Sequence, residues 1–180
     1  PLIRQYRQGL RDYLWGETDN YEGLVSLYAQ AEAFYETDKI VWGDEQEREQ
    51  IEHLDWACIR DIRRENYQYL LERLKTFPDL QPIFPALQAD NMPLGLPVYV
   101  AAGQRDWLME ALGQAGVGLT AHWEELTADP RLSGNPIAVS MASNELTLVV
   151  DQLNSTAQLD YMLQTLSALL GRQSRQTFPR

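Results

Sequence analysis

The sequence predicts an α+β chain: N-terminal helices followed by a small β-α-β-β-α layer, an antiparallel or mixed sheet with helices on one face. Three observations carry this reading. Apolar residues recur at helical spacing through the first part of the chain, from Tyr6, Leu10, Tyr13 and Leu14 to Leu70, Leu71 and Leu74. That period stops at Pro78, beyond which Pro82, Pro85, Pro93 and Pro97 separate short apolar runs. It returns over 104–115 and again after Ser155, which supplies helices to cover a sheet.

Taken in order, Leu24, Leu27, Tyr28, Ala31, Phe34 and Tyr35 make a second apolar stripe after that of Tyr6 to Leu14, with 16–23 as the break between two helices. Residues 44–77 predict one long helix, whose acidic first turn of Asp44, Glu45 and Glu47 suits the positive end of a helix dipole. Ile51, Leu54, Cys58, Ile62 and Tyr69 continue its apolar face, and Pro78 ends it. Residues 81–84 read as a short strand that Pro82 confines to a sheet edge, since proline cannot donate to a ladder, and 98–102 read as a second strand. Trp107, Leu108, Ala111 and Leu112 share one face of a helix over 104–115, with Gly116 where a C-terminal glycine belongs. Residues 117–123 predict a strand returning beside 98–102, and 136–141 and 145–150 two more short strands. Asn154 or Ser155 caps a last helix faced by Leu159, Met162, Leu163, Leu166 and Leu170, and 171–180 reads as a loose polar tail. These elements group into a helical extension over 1–43, a main domain over 44–170 and the tail over 171–180.

Composition excludes several classes of partner. A hydrophobic share of 44% over 180 residues is that of an ordinary globular domain able to bury a core. Acids outnumber bases 26 to 15, for a formal charge of −11, so neither duplex nucleic acid nor an anionic membrane surface is an expected partner. Cys58 is the only cysteine, which rules out an intrachain disulfide and fits a reducing cytoplasm. The opening PLIRQYRQGL lacks the apolar stretch of a signal peptide, and Pro1 is compatible with a removed Met or with the edge of a longer protein.

Several residues invite chemistry and are read more plainly. His53 lies among Glu49, Glu52 and Asp55, a solvated helix face in preference to a metal site. Arg60, Arg63 and Arg64 beside Asp61 and Glu65 read as surface ion pairs. Lys39 reads as an ordinary exposed lysine, and Cys58, among Trp56, Ile59 and Ile62, as a small buried hydrophobe. Asn154-Ser155-Thr156 matches a glycosylation sequon at what is read as a helix cap. Gly113, Gly116 and Gly118 do not follow a strand and open a helix as a phosphate-binding loop would. No metal-binding residue is predicted.

Five stretches, in order Arg63-Arg64-Glu65-Asn66-Tyr67, residues 93–100, Arg105-Asp106-Trp107-Leu108, His122-Trp123 and residues 146–152, resemble the end of the DegT/DnrJ/StrS-type sugar aminotransferases, a branch of the fold-type-I pyridoxal-phosphate (PLP) enzymes. Arg63-Arg64-Glu65-Asn66-Tyr67 with Leu70, Leu71 and Leu74 is similar to the family's helix carrying Arg, Asn and Tyr ahead of a leucine pair. Pro93-Leu94-Gly95-Leu96-Pro97-Val98-Tyr99-Val100 resembles a strand entered through prolines. Arg105-Asp106-Trp107-Leu108 with Leu112, Gly116 and Val117 looks like a short helix and its glycine turn. His122-Trp123 stands where the family has His followed by Tyr or Trp, and 146–152 with the helix after it resembles the closing strand and helix.

The resemblance implies that 44–170 is a C-terminal small domain, which in the whole protein closes over an active site that transfers an amino group to a keto-sugar or similar substrate. It implies a substrate-binding role for His122, with Trp123 packed beside it, PLP as the cofactor of the full-length protein, and a homodimer. The chain's partner is then an N-terminal large domain or a second subunit. Such enzymes need a Schiff-base lysine, an acid at the pyridine nitrogen and a phosphate cup, which lie in the large domain. Lys39 and Lys75 are the only lysines here and neither has the family's surroundings, so no catalytic or cofactor-binding residue is assigned and the isolated chain is expected to be inactive. Two departures bear on substrate recognition: Asn144-Glu145 where relatives often carry arginine, and Leu153-Asn154 in place of an arginine-tyrosine pair after Asp151-Gln152. The abundance of Trp and Tyr keeps a second class open, a non-catalytic interaction or regulatory module on the same fold.

Overall fold

Aromatic and small residues at helical spacing allow the first two helices, Leu2–Leu14 (α1) and Tyr21–Tyr35 (α2), to lie antiparallel and close together. Tyr6 meets Tyr28 with ring centroids 5.2 Å apart, and Tyr13 meets Tyr21 at 5.6 Å. Between these pairs Leu24 is buried against Gly9, where an added Cβ would lie 2.7 Å from the leucine Cδ2. Asn20 caps α2 by accepting from the Gly23 N–H at 3.0 Å. The computed structural model describes residues 2–14, 16–35, 45–131 and 134–176, and its chain divides into two units, Pro1–Leu54 and Asp55–Arg180. Lys39 lies outside the described residues.

The single helix predicted over 44–77 is two helices, Glu45–Glu52 (α3) and Trp56–Leu74 (α4). The physical reason is Asp55, whose Oδ1 accepts from the Cys58 N–H at 2.9 Å and so starts α4 afresh as its N-cap.

The second unit is the predicted α+β layer. Leu80–Pro82 (β1), Gly95–Val100 (β2) and Glu145–Val149 (β3) form an antiparallel sheet in that order, with Leu80 opposite Val100 and Leu96 opposite Leu148. Pro82 sits on an edge strand, as a residue without an N–H must. Leu96, Val98 and Val100 alternate inward from β2 and meet Leu146 and Leu148 of β3 on the same face. Against that face pack Leu70 and Leu74 of α4, Leu108 and Leu112 of Arg105–Gln114 (α5), and Leu159, Leu163 and Leu166 of Thr156–Gln176 (α7). Each such side chain removed from water contributes about 1.5–3 kcal/mol, so this layer holds the unit together.

Three stretches differ from expectation. Residues 117–123 are not a strand beside 98–102: the chain leaves α5 through Gly116 at φ +77°, with Val117 donating to Leu112 and Gly116 to Gly113, both at 2.9 Å. It then pairs once, Thr120 to Thr147 of β3. Residues 136–141 belong to a helix, Pro136–Asn144 (α6), because Asn135 accepts from the Ala138 N–H at 3.1 Å and Pro136 occupies the first helical position. The reading of a loose tail from Gly171 fails at its start, since α7 runs on to Gln176. Its capping is as read at Ser155, which forms a reciprocal box with Gln158: the Ser155 N–H reaches Gln158 Oε1 at 2.8 Å and the Gln158 N–H reaches Ser155 Oγ at 3.4 Å. No helix among the described residues is long and apolar enough to cross a membrane.

Candidate functional site

The pleat that turns Leu96 and Val98 inward turns Gly95 and Pro97 of β2 and Glu145 and Thr147 of β3 toward the opposite face. On that face lies an open cleft of about 760 Å³. Gly95 and Pro97 with Thr147 line its sheet side, Met141 of α6 and the His122-Trp123 pair border it, and the β1–β2 connection supplies Phe84, Met92 and Leu94. Gly95 is required here, since a Cβ would lie 2.2 Å from the Thr147 Cγ2.

The connection that forms one wall is tied down by α4. Tyr67 donates its hydroxyl to the Phe84 carbonyl at 2.8 Å. Arg64 donates to the carbonyls of Gln88 at 2.8 Å and Asn91 at 2.6 Å, and Arg63 to that of Pro93 at 3.2 Å. Arg63 also reaches Gln152 Oε1 at 2.8 Å, while buried Asn66 donates to the carbonyls of Asp151 at 3.0 Å and Asn154 at 3.3 Å. Burial pushes the Tyr67 hydroxyl above its ordinary pKa, which keeps it a donor. Arg63 and Arg64 are therefore not the surface ion pairs they resemble in sequence: their side chains reach backbone carbonyls 24 to 30 residues away. Arg60 does pair with Asp61, at 2.9 Å.

His122 and Trp123 stand together on the cleft rim, ring centroids 5.5 Å apart. His122 is half-buried and Trp123 is 53% exposed. Trp123 has φ 61° and ψ 28°, left-handed backbone that a non-glycine residue seldom adopts, and it turns the chain into a short 3₁₀ helix over Glu124–Ala128. The His122 N–H donates to Glu145 Oε2 at 2.9 Å, and Glu145 is fully buried. In sequence Glu145 stands out only as a departure from a family pattern; the further signal it carries is that of an acid opening an apolar strand run, Leu146 to Val150. Asn66 and Tyr67 are legible there as a motif but not as the residues that fix the cleft wall.

The remaining candidates lie elsewhere. His53 is exposed, its Nδ1 2.6 Å from the Glu49 carbonyl oxygen, and among the described residues no three His, Cys, Asp or Glu side chains gather as a metal site. Cys58 is exposed and not buried as read, because the start of α4 turns it to solvent. Lys75 is exposed and bonds Glu72 at 2.6 Å. Among the described residues the cleft lining contains neither lysine nor arginine, so the cleft itself presents neither a Schiff-base amine nor a cationic phosphate cup.

No family model and no curated protein sequence matches the chain. Solved structures do. The aminotransferase TlmJ from Streptoalloteichus hindustanus is similar at a TM-score of 0.56 and 21% identity, over 64% of this chain and 33% of its own. Spr1654 from Streptococcus pneumoniae, described as a sugar aminotransferase and solved in a PLP form, is similar at 0.57 and 16%, over 65% and 32%. A DegT DnrJ EryC1 StrS aminotransferase from Brucella abortus is similar at 0.50 and 19%, over 62% and 31%. The chain has the fold of part of a sugar aminotransferase. It spans 31–33% of the length of these three aminotransferases, and at 16–21% identity what they share with it is the fold.

Proposed function

We propose that this chain is the C-terminal segment of a PLP-dependent aminotransferase-like protein of the sugar-aminotransferase type, closing the active site and contributing to substrate binding through His122 and Trp123. The observation that carries the reading is an open cleft with this His-Trp pair on its rim, on a fold shared with sugar aminotransferases. The His122 imidazole is suited to hydrogen bonding an oxygen-rich substrate, and Trp123 offers a broad face beside it. The wall tied down by Tyr67, Arg63 and Arg64 would exclude water from the closed site. PLP belongs to the part of the protein that carries the lysine and phosphate cup, a reading supported by the PLP form of Spr1654, and the isolated chain is inactive.

The rim supports a covering partner. Phe84, Met92, Leu94 and Trp123 are all exposed around the cleft, Leu94 at 75%. An apolar border of this kind is what an N-terminal large domain or the second subunit of a homodimer would bury, in a cytoplasmic protein. The test is an absorbance spectrum of the longest natural form of the protein after PLP addition and removal of excess. A retained visible band supports the aminotransferase reading; a protein that holds no PLP removes it and leaves a non-catalytic interaction module, to which the exposed rim is equally suited.

A further inference from the structure

We propose that Glu145 is the positioning residue of this site: its buried carboxylate fixes the His122-Trp123 turn in the geometry that sets both residues on the cleft rim. The inference rests on the functional reading above only for what those two residues then touch. The segment 120–123 has a single bridge to the sheet, at Thr120, and no ladder of its own. Two side-by-side residues of β3 hold it. The Thr147 N–H donates to the Thr120 carbonyl at 2.8 Å, and Glu145 Oε2 accepts from the His122 N–H at 2.9 Å. Glu145 Oε1 accepts from the Thr147 hydroxyl, so both carboxylate oxygens are engaged and the two holding residues are locked to each other.

The turn immediately after His122 needs this support. Trp123 takes a left-handed backbone conformation at φ 61°, a state that persists in a residue with a Cβ only where its surroundings impose it. Placing a carboxylate at a fully buried position is itself unfavourable relative to an apolar side chain. An apolar residue at 145 would avoid that penalty but leave the His122 N–H without its acceptor. The carboxylate therefore makes sense as the anchor of the turn and not as packing.

The test is amide hydrogen exchange on the ¹⁵N-labelled chain. His122 is predicted to exchange at least about a hundredfold more slowly than an unstructured amide. Glu145→Val should speed His122 exchange about tenfold or more while core amides such as that of Leu163 stay within about twofold, an outcome that general destabilisation does not produce. Glu145→Gln, whose amide oxygen still accepts from His122 and whose NH₂ can donate to the Thr147 hydroxyl where the carboxylate accepted from it, should stay within about threefold of the parent. Unchanged His122 exchange in a folded Glu145→Val chain overturns the proposal. Should that variant not fold, the parent chain decides: the predicted protection of the His122 amide, whose acceptor is Glu145 Oε2, supports the grip, and exchange there within about threefold of an unstructured amide overturns it. Failure of the two readings is distinguishable. A natural-length protein that holds no PLP, with His122 protection still dependent on Glu145, removes the aminotransferase reading and leaves the positioning role; retained PLP with Glu145-independent exchange does the reverse.

Discussion

Asn66 and Arg64 are polar residues on a helix whose partners lie far along the chain, and that distance limits what a sequence reveals about them. The Asn66 amide satisfies carbonyls at 151 and 154, and Arg64 those of Gln88 and Asn91. Neighbouring acids, Asp61 and Glu65, make local ion pairs the natural reading of the arginines, and only the fold brings the carbonyls within reach. Asn66→Ala should lower unfolding free energy by about 1–3 kcal/mol, measured by urea denaturation, because buried carbonyls lose their donor. Arg64→Ala should speed amide exchange across 88–91 while global stability falls by less than about 1.5 kcal/mol, since its two bonds fix an exposed connection and not the core. Parental exchange in that loop would show that the arginine does not hold the wall. His122 and Trp123 are legible as residues, but that they share a cleft rim with a buried Glu145 is not.

Elements are legible where one physical signal dominates. Alternation marks β3, the proline places β1 on an edge, and Gly116 and Ser155 end and begin helices as read. The misreadings arise where two signals compete. The apolar run after Pro136 has the composition of a strand, yet the Asn135 cap and a proline at the first helical position outweigh it. Asp55 likewise interrupts a helical period that apolar spacing alone would carry through. Asn135→Ala should cost about 1 kcal/mol, read as a lowered midpoint in thermal unfolding, with a parental midpoint counting against the cap. Gly116→Ala forces a side chain into left-handed backbone and should cost about 1 kcal/mol or more in the same assay, although nothing lies within 4 Å of the new Cβ.

At the scale of the molecule, the three-stranded sheet separates two tasks. One face is sealed by leucines from α4, α5 and α7, and the other is left as the cleft. Leu148→Ala, on the sealed face, should cost about 2–5 kcal/mol and act on stability alone. The chain spans about a third of the length of the aminotransferases that share its fold. The most direct measurement of the central claim is a comparison of the natural-length protein and its His122→Ala variant, both loaded with PLP and titrated with amino donor and keto-sugar acceptor while the visible spectrum is followed. The account predicts PLP retained in both and a requirement for about tenfold or more acceptor in the variant to reach the same rate. Loss of the visible band in neither protein, with identical acceptor dependence, would contradict the substrate role of His122, and absence of PLP from both would contradict the aminotransferase assignment itself.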